Sequence, residues 1–124
     1  MFFKNTYPAF LWAAFILVLT LSPAPDFPKA TWINAYHVDK LIHAVLFGIL
    51  YFLLIRGFVR QQQLHAVLWS IIIVILYGAV TEILQSIVST GRSGEFTDWL
   101  ADCVGTGLAF IAYEFRWKIK KNSA

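Results

Sequence analysis

The sequence predicts an all-α integral membrane protein: an antiparallel four-helix bundle with both termini on the cytoplasmic side. Composition is the first reason. Hydrophobic residues make up 59% of the 124 and charged ones only 14%, and mean hydropathy is +0.66, whereas soluble domains carry about 45–50% apolar and about 25% charged residues. The second reason is layout. Apolar stretches run through about residues 8–21, 41–55, 64–80 and 99–115, and with flanking turns each approaches the roughly 20 residues that cross a hydrocarbon core of about 30 Å. The third is the placement of cations, which favour the cytoplasmic side of short loops. An inside N-terminus puts Lys4, Arg56, Arg60, Arg116, Lys118, Lys120 and Lys121, seven of the ten lysines and arginines, in the cytoplasm. Lys29, Lys40 and Arg92 are left outside.

The first helix is placed at about residues 8–22. Lys4 ahead of an apolar run, with Ser22 to Ala24 behind it, has the outline of a secretory signal. Pro23 and Pro25 make a poor cleavage context, so the segment is taken as an uncleaved span. The outer loop SPAPDFPKATWINAYHV holds three prolines, which oppose a helix through Lys29. Its Trp32 and Tyr36 suit the headgroup layer, where aromatic belts form. A second helix over about 39–56 leads into a short polar inner turn, RGFVRQQQLH, and a third runs over about 64–88. The second outer loop, STGRSGEFTD, carries two glycines and ends on Thr97 or Asp98 as the N-cap of a fourth helix, about 98–116. No internal repeat divides the chain, so residues 1–124 form one domain.

The net charge of +3 resides mainly in the tail Arg116 to Lys121. A juxtamembrane basic cluster meets anionic headgroups, while nucleic acid would need a broader basic face and is not expected. Cys103, the single cysteine, has no internal disulfide partner and is read as a packing residue.

Polar residues inside apolar helices carry the functional signal, because a charge at mid-membrane is unfavourable by about 2.5–3.5 kcal/mol. Positions three and four apart share a helix face. Asp39, His43 and Phe47 form one stripe, Glu82, Gln85, Ser86 and Ser89 a second, and Asp98, Asp102, Gly105 and Ala109 a third. In the predicted topology all three stripes bring their charges to the outer leaflet. At about 1.5 Å per residue, His43 and Asp102 lie about 6 Å inside their helix starts and Glu82 about 9 Å from its helix end, depths compatible with one pocket. Arg92 and Lys40 are the cations within reach.

The segments DKLIHAVLFGILYFLL and YGAVTEILQSIVSTGRSGEFTDWLADCVGTGLAF together resemble the VanZ-like family of small bacterial membrane proteins. That family's pattern is Asp-Lys-x-x-His-x-x-x-Phe, Glu-x-x-Gln, an Arg, and Asp-x-x-x-Asn-x-x-Gly. The resemblance covers about Asp39 to Phe110 and picks out Asp39, Lys40, His43, Phe47, Glu82, Gln85, Arg92, Asp98 and Gly105. Asp102 stands where the family usually has Asn, which places a second carboxyl one turn from Asp98. The founding member is linked to low-level teicoplanin resistance, so the resemblance implies a role in the bacterial envelope and no established reaction.

Each residue also has a plain structural role available. Asp39 and Lys40 can cap and flank a helix, His43 can be a bonded packing residue, Glu82 can pair with Arg92, and Asp98 can be an N-cap. Gln85 serves as interhelical glue, and the stripe Ala101, Gly105 and Ala109 allows close helix approach. The functional reading makes Asp39, Lys40, His43, Glu82, Gln85, Arg92, Asp98 and Asp102 a ligand-binding set in the cytoplasmic (inner) membrane. Its partner is a membrane lipid headgroup or a lipid-linked envelope precursor, with homo-oligomers left open. The alternative is an intramembrane hydrolase or group-transfer enzyme with His43 as base, Glu82, Asp98 or Asp102 as acid, and Arg92 stabilising an oxyanion. A transporter assembled from several copies is weaker, since the acids gather at one end. No cofactor is expected and no metal ligands are assigned, because neither His-x-x-x-His nor paired cysteines occur. His37 is placed in the loop and His65 across the membrane.

Overall fold

The computed structural model describes residues 2–23, 32–88 and 94–124, with residues 2, 3 and 32–36 described by backbone alone. The elements in chain order are α1 (Phe2–Leu21), α2 (Trp32–Arg60), α3 (Ala66–Ile87) and α4 (Phe96–Asn122). Three of these, over Lys4–Leu21, His37–Arg60 and Ala66–Ile87, are long and apolar enough to cross a membrane. α4, though 27 residues long, does not join them: Asp98 and Asp102 occupy its first turns and Glu114 and Arg116 close its apolar stretch.

Several helix boundaries differ from expectation, each for a local reason. α1 begins at Phe2 and runs through Pro8, because a proline this near the start removes a single backbone bond. α2 begins at Trp32 instead of near Asp39, since no proline or glycine follows Pro28 to stop it. Asp39 and Lys40 are therefore inside the helix and do not cap it, and His37 is helical and not in a loop. α4 continues through the basic tail to Asn122, where lysines complement the negative end of the helix dipole. Its N-cap is Glu95, which makes no side-chain cap bond, so neither Thr97 nor Asp98 holds that position. The predicted headgroup roles of Trp32 and Tyr36 fall on side chains outside the described residues, as do Arg92 and Ser89 altogether.

α2 is the central helix. It packs against α1, α3 and α4, while α1 and α4 share no contact among the described residues. Its buried residues Phe47, Leu50, Tyr51, Leu54, Ile55 and Phe58 recur at three- and four-residue intervals and form a continuous stripe. Ala9 and Ile16 of α1, Ala66 and Val74 of α3 and Ala109 of α4 complete the core. The outward faces are almost wholly apolar, with Leu11, Leu76, Ile83 and Ile111 all exposed, as a lipid-facing surface requires.

Without a hydrophobic drive between helices in lipid, contact rests on close packing and interhelical hydrogen bonds. The Trp12 indole N–H donates to the Leu46 carbonyl at 2.9 Å, the Tyr77 hydroxyl to Ala13 at 2.5 Å, and the Gln85 amide to Thr20 at 2.8 Å. Gln85 is thus the interhelical glue its residue type implies. α2 and α4 approach most closely: the Ala44 carbonyl carbon and Cα lie only 2.6 Å from where a Cβ on Gly105 would sit. The stripe Ala101, Gly105 and Ala109 meets a matching pair, Ala44 and Gly48, that sequence reasoning missed although its four-residue spacing carried the same signal. Between α2 and α3 the chain turns through Gln62 and His65, both left-handed with φ of 54° and 59°.

Candidate functional site

One end of the bundle joins the starts of α2 and α4 to the ends of α1 and α3, and the polar stripes converge there. Lys40 of α2 donates from Nζ to Asp98 Oδ1 and, at 3.1 Å, to Glu95 Oε2. One turn along, the His43 Nδ1–H donates to Asp102 Oδ1 at 2.9 Å, and His43 Nε2 lies 3.9 Å from Asp98 Oδ2. These two pairs repeat because Lys40 and His43, like Asp98 and Asp102, are about one turn apart on helices brought together by Gly105. α3 supplies Glu82, whose Oε2 accepts the Glu95 backbone N–H at 2.9 Å. That bond satisfies a donor at the start of α4 that the helix itself leaves unpaired.

Burial is deep. His43 is 5% exposed, Glu82 8%, Asp98 5% and Asp102 1%. Phe47 lies fully buried one turn below His43 with its ring almost parallel, 3° between planes at 6.5 Å, so it floors the polar cluster. Glycines make the space. A Cβ on Gly78 would stand 3.0 Å from Asp102 Oδ2, and one on Gly94 would overlap the Glu82 carbonyl and come 2.5 Å from Ser86 Oγ.

Of the eight residues predicted to line a site, the structure brings together Lys40, His43, Glu82, Asp98 and Asp102, with Asp39 half-buried beside His43 and Asp98. Gln85 faces α1 instead, and Ser86 bonds back to the Glu82 carbonyl of its own helix. Arg92 is not among the described residues. Glu95 was not foreseen: with Lys40 it forms the outer edge of the cluster, and only its position before a predicted helix could have flagged it. Asp39, Glu82, Glu95, Asp98 and Asp102 are five of the chain's seven acids, so the cluster is acidic. Lys40, one of the two cations expected within reach of the pocket, is already engaged by two carboxylates.

Electrostatics at the edge follow from this pairing. The bond from Lys40 and its positive charge hold the exposed Glu95 carboxyl below the usual glutamate range. A depressed folded-state value means that the pair stabilises the fold above the ordinary glutamate pKa and ceases to do so as pH falls through the lower one. Glu95→Gln is therefore expected to lower stability at pH 7 by less than about 1 kcal/mol, as exposed pairs do. In thermal melts against the parent the difference should shrink as pH falls below the ordinary glutamate pKa of about 4.3.

Two cavities bear on binding. A groove of about 440 Å³ between α2 and α4 is walled by Leu41, Ala44, Leu100, Ala101 and Val104 and reaches Lys40. A larger one, about 880 Å³, lies at the other end between the last turns of the same helices, where Arg56, Arg60, Arg116 and Lys120 surround Tyr113 and Trp117. His43 and Asp102 form an acid–base pair, and the carboxylates around them are donors a cation would accept.

The sequence profile of the VanZ/LLP1 family matches residues 1–117. Nothing among curated proteins or solved structures matches the chain.

Proposed function

This chain belongs to the VanZ/LLP1 family, and on that premise we propose that it is a multi-pass protein of the bacterial cytoplasmic membrane that holds a lipid headgroup or lipid-linked envelope precursor. In this reading α4 crosses with the other three helices in an antiparallel bundle, both termini are cytoplasmic, and the polar cluster lies at the outer leaflet. The observation that carries it is the groove between α2 and α4. Its walls, Leu41, Leu100 and Val104, are exposed and apolar, and it reaches Lys40, which two carboxylates hold. A volume of about 440 Å³ falls within the about 300–1,000 Å³ typical of ligand sites. An acyl or isoprenoid chain would lie along the wall and its headgroup, amine and phosphate together, against the ion pairs.

The test is native mass spectrometry of gently extracted protein. Wild type is expected to retain one lipid or lipid-linked species, and Val104→Trp, which fills the groove without touching the ion pairs, to lose it. Equal retention by both would place the lipid elsewhere and refute the reading. A connection to glycopeptide sensitivity belongs to the same proposal: deleting the protein should change envelope lipid or precursor composition and teicoplanin susceptibility together.

One observation favours a second reading, an intramembrane hydrolase or group-transfer enzyme. The Asp102 carboxylate orients the His43 ring through Nδ1, which leaves Nε2 to accept a proton, the arrangement of a general base. Turnover of a lipid-linked substrate that His43→Ala abolishes would establish it. A purified protein with no turnover, and cells indifferent to His43→Ala and Glu82→Gln, would remove it.

A further inference from the structure

We propose that His43, Glu82 and Asp102 form a binding site for one divalent metal ion of the zinc class. One donor atom from each residue lies within 4.8 Å of the other two, and all three side chains are buried. Ligand atoms around a tetrahedral ion with bonds of about 2.0–2.2 Å are about 3.3–3.6 Å apart, so side-chain rotations that move them by about an ångström close the set. Each ligand comes from a different helix, α2, α3 and α4, which is why no local ligand motif marks the sequence.

A second, independent observation points to a ligand. Among the described residues, Glu82 Oε1 and Asp102 Oδ2 are buried and have no hydrogen-bond partner, on residues 8% and 1% exposed. Their sister oxygens are engaged, Oε2 by the Glu95 N–H and Oδ1 by the His43 ring, so the unpartnered pair are the donors left for an ion. A carboxylate oxygen stripped of water and left unpaired is among the most unfavourable arrangements in a protein. A dication removes two of them at once. Gly78, opposite Asp102 Oδ2 on α3, keeps the space open, since a Cβ there would press against that oxygen at 3.0 Å.

The donor chemistry selects the metal. One imidazole with two carboxylates is a mixed nitrogen and oxygen set, which suits zinc better than calcium or magnesium, ions that prefer oxygen alone. Three protein ligands leave a fourth position for water or a ligand oxygen. The alternative trio Asp39, His43 and Asp98 is also within reach, yet Asp98 is already neutralised by Lys40. The metal site does not depend on lipid binding.

The full chain, purified in a lipid-free detergent and stripped with chelator, is offered Zn²⁺, Mn²⁺ or Ca²⁺ separately, desalted, and its metal counted by mass spectrometry. Wild type is expected to keep one zinc per chain, and Glu82→Gln and Asp102→Asn, close in shape, to weaken zinc binding by more than about tenfold. X-ray absorption on the wild-type zinc complex should read one imidazole nitrogen with the remaining donors oxygen, a result independent of how the variants fold. No zinc retained by wild type would overturn the proposal. Equal retention by wild type and variants, or a spectrum with several imidazoles, would also overturn it by placing the metal elsewhere. Because no lipid is present, failure of the lipid reading leaves this outcome untouched.

Discussion

Gly105→Leu is expected to separate α2 from α4 and to abolish the polar site with them. Even the first carbon of the new side chain meets the Ala44 backbone, at 2.6 Å from its carbonyl carbon and Cα where ordinary contact is 3.4–4 Å. Backbone cannot rotate aside as a side chain can, so one helix has to move. Overpacking a well-filled interior is unfavourable by about 1–3 kcal/mol when side chains adjust, and this helix contact has none to adjust. Lys40 and His43 precede Ala44 by about one turn and by one residue on one helix, and Asp98 and Asp102 precede Gly105 by two turns and one on the other. Displacing the helices therefore breaks both ion pairs together. Thermal unfolding in detergent should show a large loss of stability. Gly107→Ala on the same helix, where a Cβ meets nothing within 4 Å, should be neutral or stabilising by up to about 1 kcal/mol through helix propensity. If both variants behave like the parent, close helix contact does not organise this bundle.

Lys40→Met should be the most damaging change within the polar cluster. It removes the partner of Asp98, whose side chain is 7% exposed, and of the more open Glu95. Breaking a buried pair on one side is unfavourable by about 3–5 kcal/mol, mostly through the stranded charge, and the partial exposure of Lys40 puts the expectation near the lower end, about 3 kcal/mol. The same logic predicts rescue. Lys40→Met combined with Asp98→Asn leaves no uncompensated carboxylate at that position and should recover most of the loss. Additive losses in such a cycle would mean that the two side chains act separately.

Much of the site was legible before any coordinates because helical spacing fixes which side chains share a face. Asp39 with His43, and Asp98 with Asp102, could be paired by inspection, and the small-residue stripe around Gly105 announced a tight helix contact. Position along a helix was harder to read. Asp39 and Lys40 look like residues at a helix start and lie inside one, because no proline or glycine after Pro28 stops the helix, while Asp98 lies in the first turn of α4, past its N-cap Glu95. The assignment of charge also changed: Lys40 neutralises acids of its own chain, and Glu82 binds the N-cap residue of α4. Such pairings span 58 residues for Lys40 and Asp98 and 59 for His43 and Asp102, distances over which spacing along the chain says nothing.

Composition and hydropathy by themselves determined that this chain is helical and suited to a membrane, since lipid leaves a lone apolar segment no other way to satisfy its backbone. They also determined the face of each helix on which charge would lie. Only the packing of α2 against α3 and α4 decided which charges meet, which carboxylate oxygens are left without a partner, and where a groove opens beside them. The reason is physical: burial and pairing are properties of a contact between helices, and side-chain order along any one of them does not contain it.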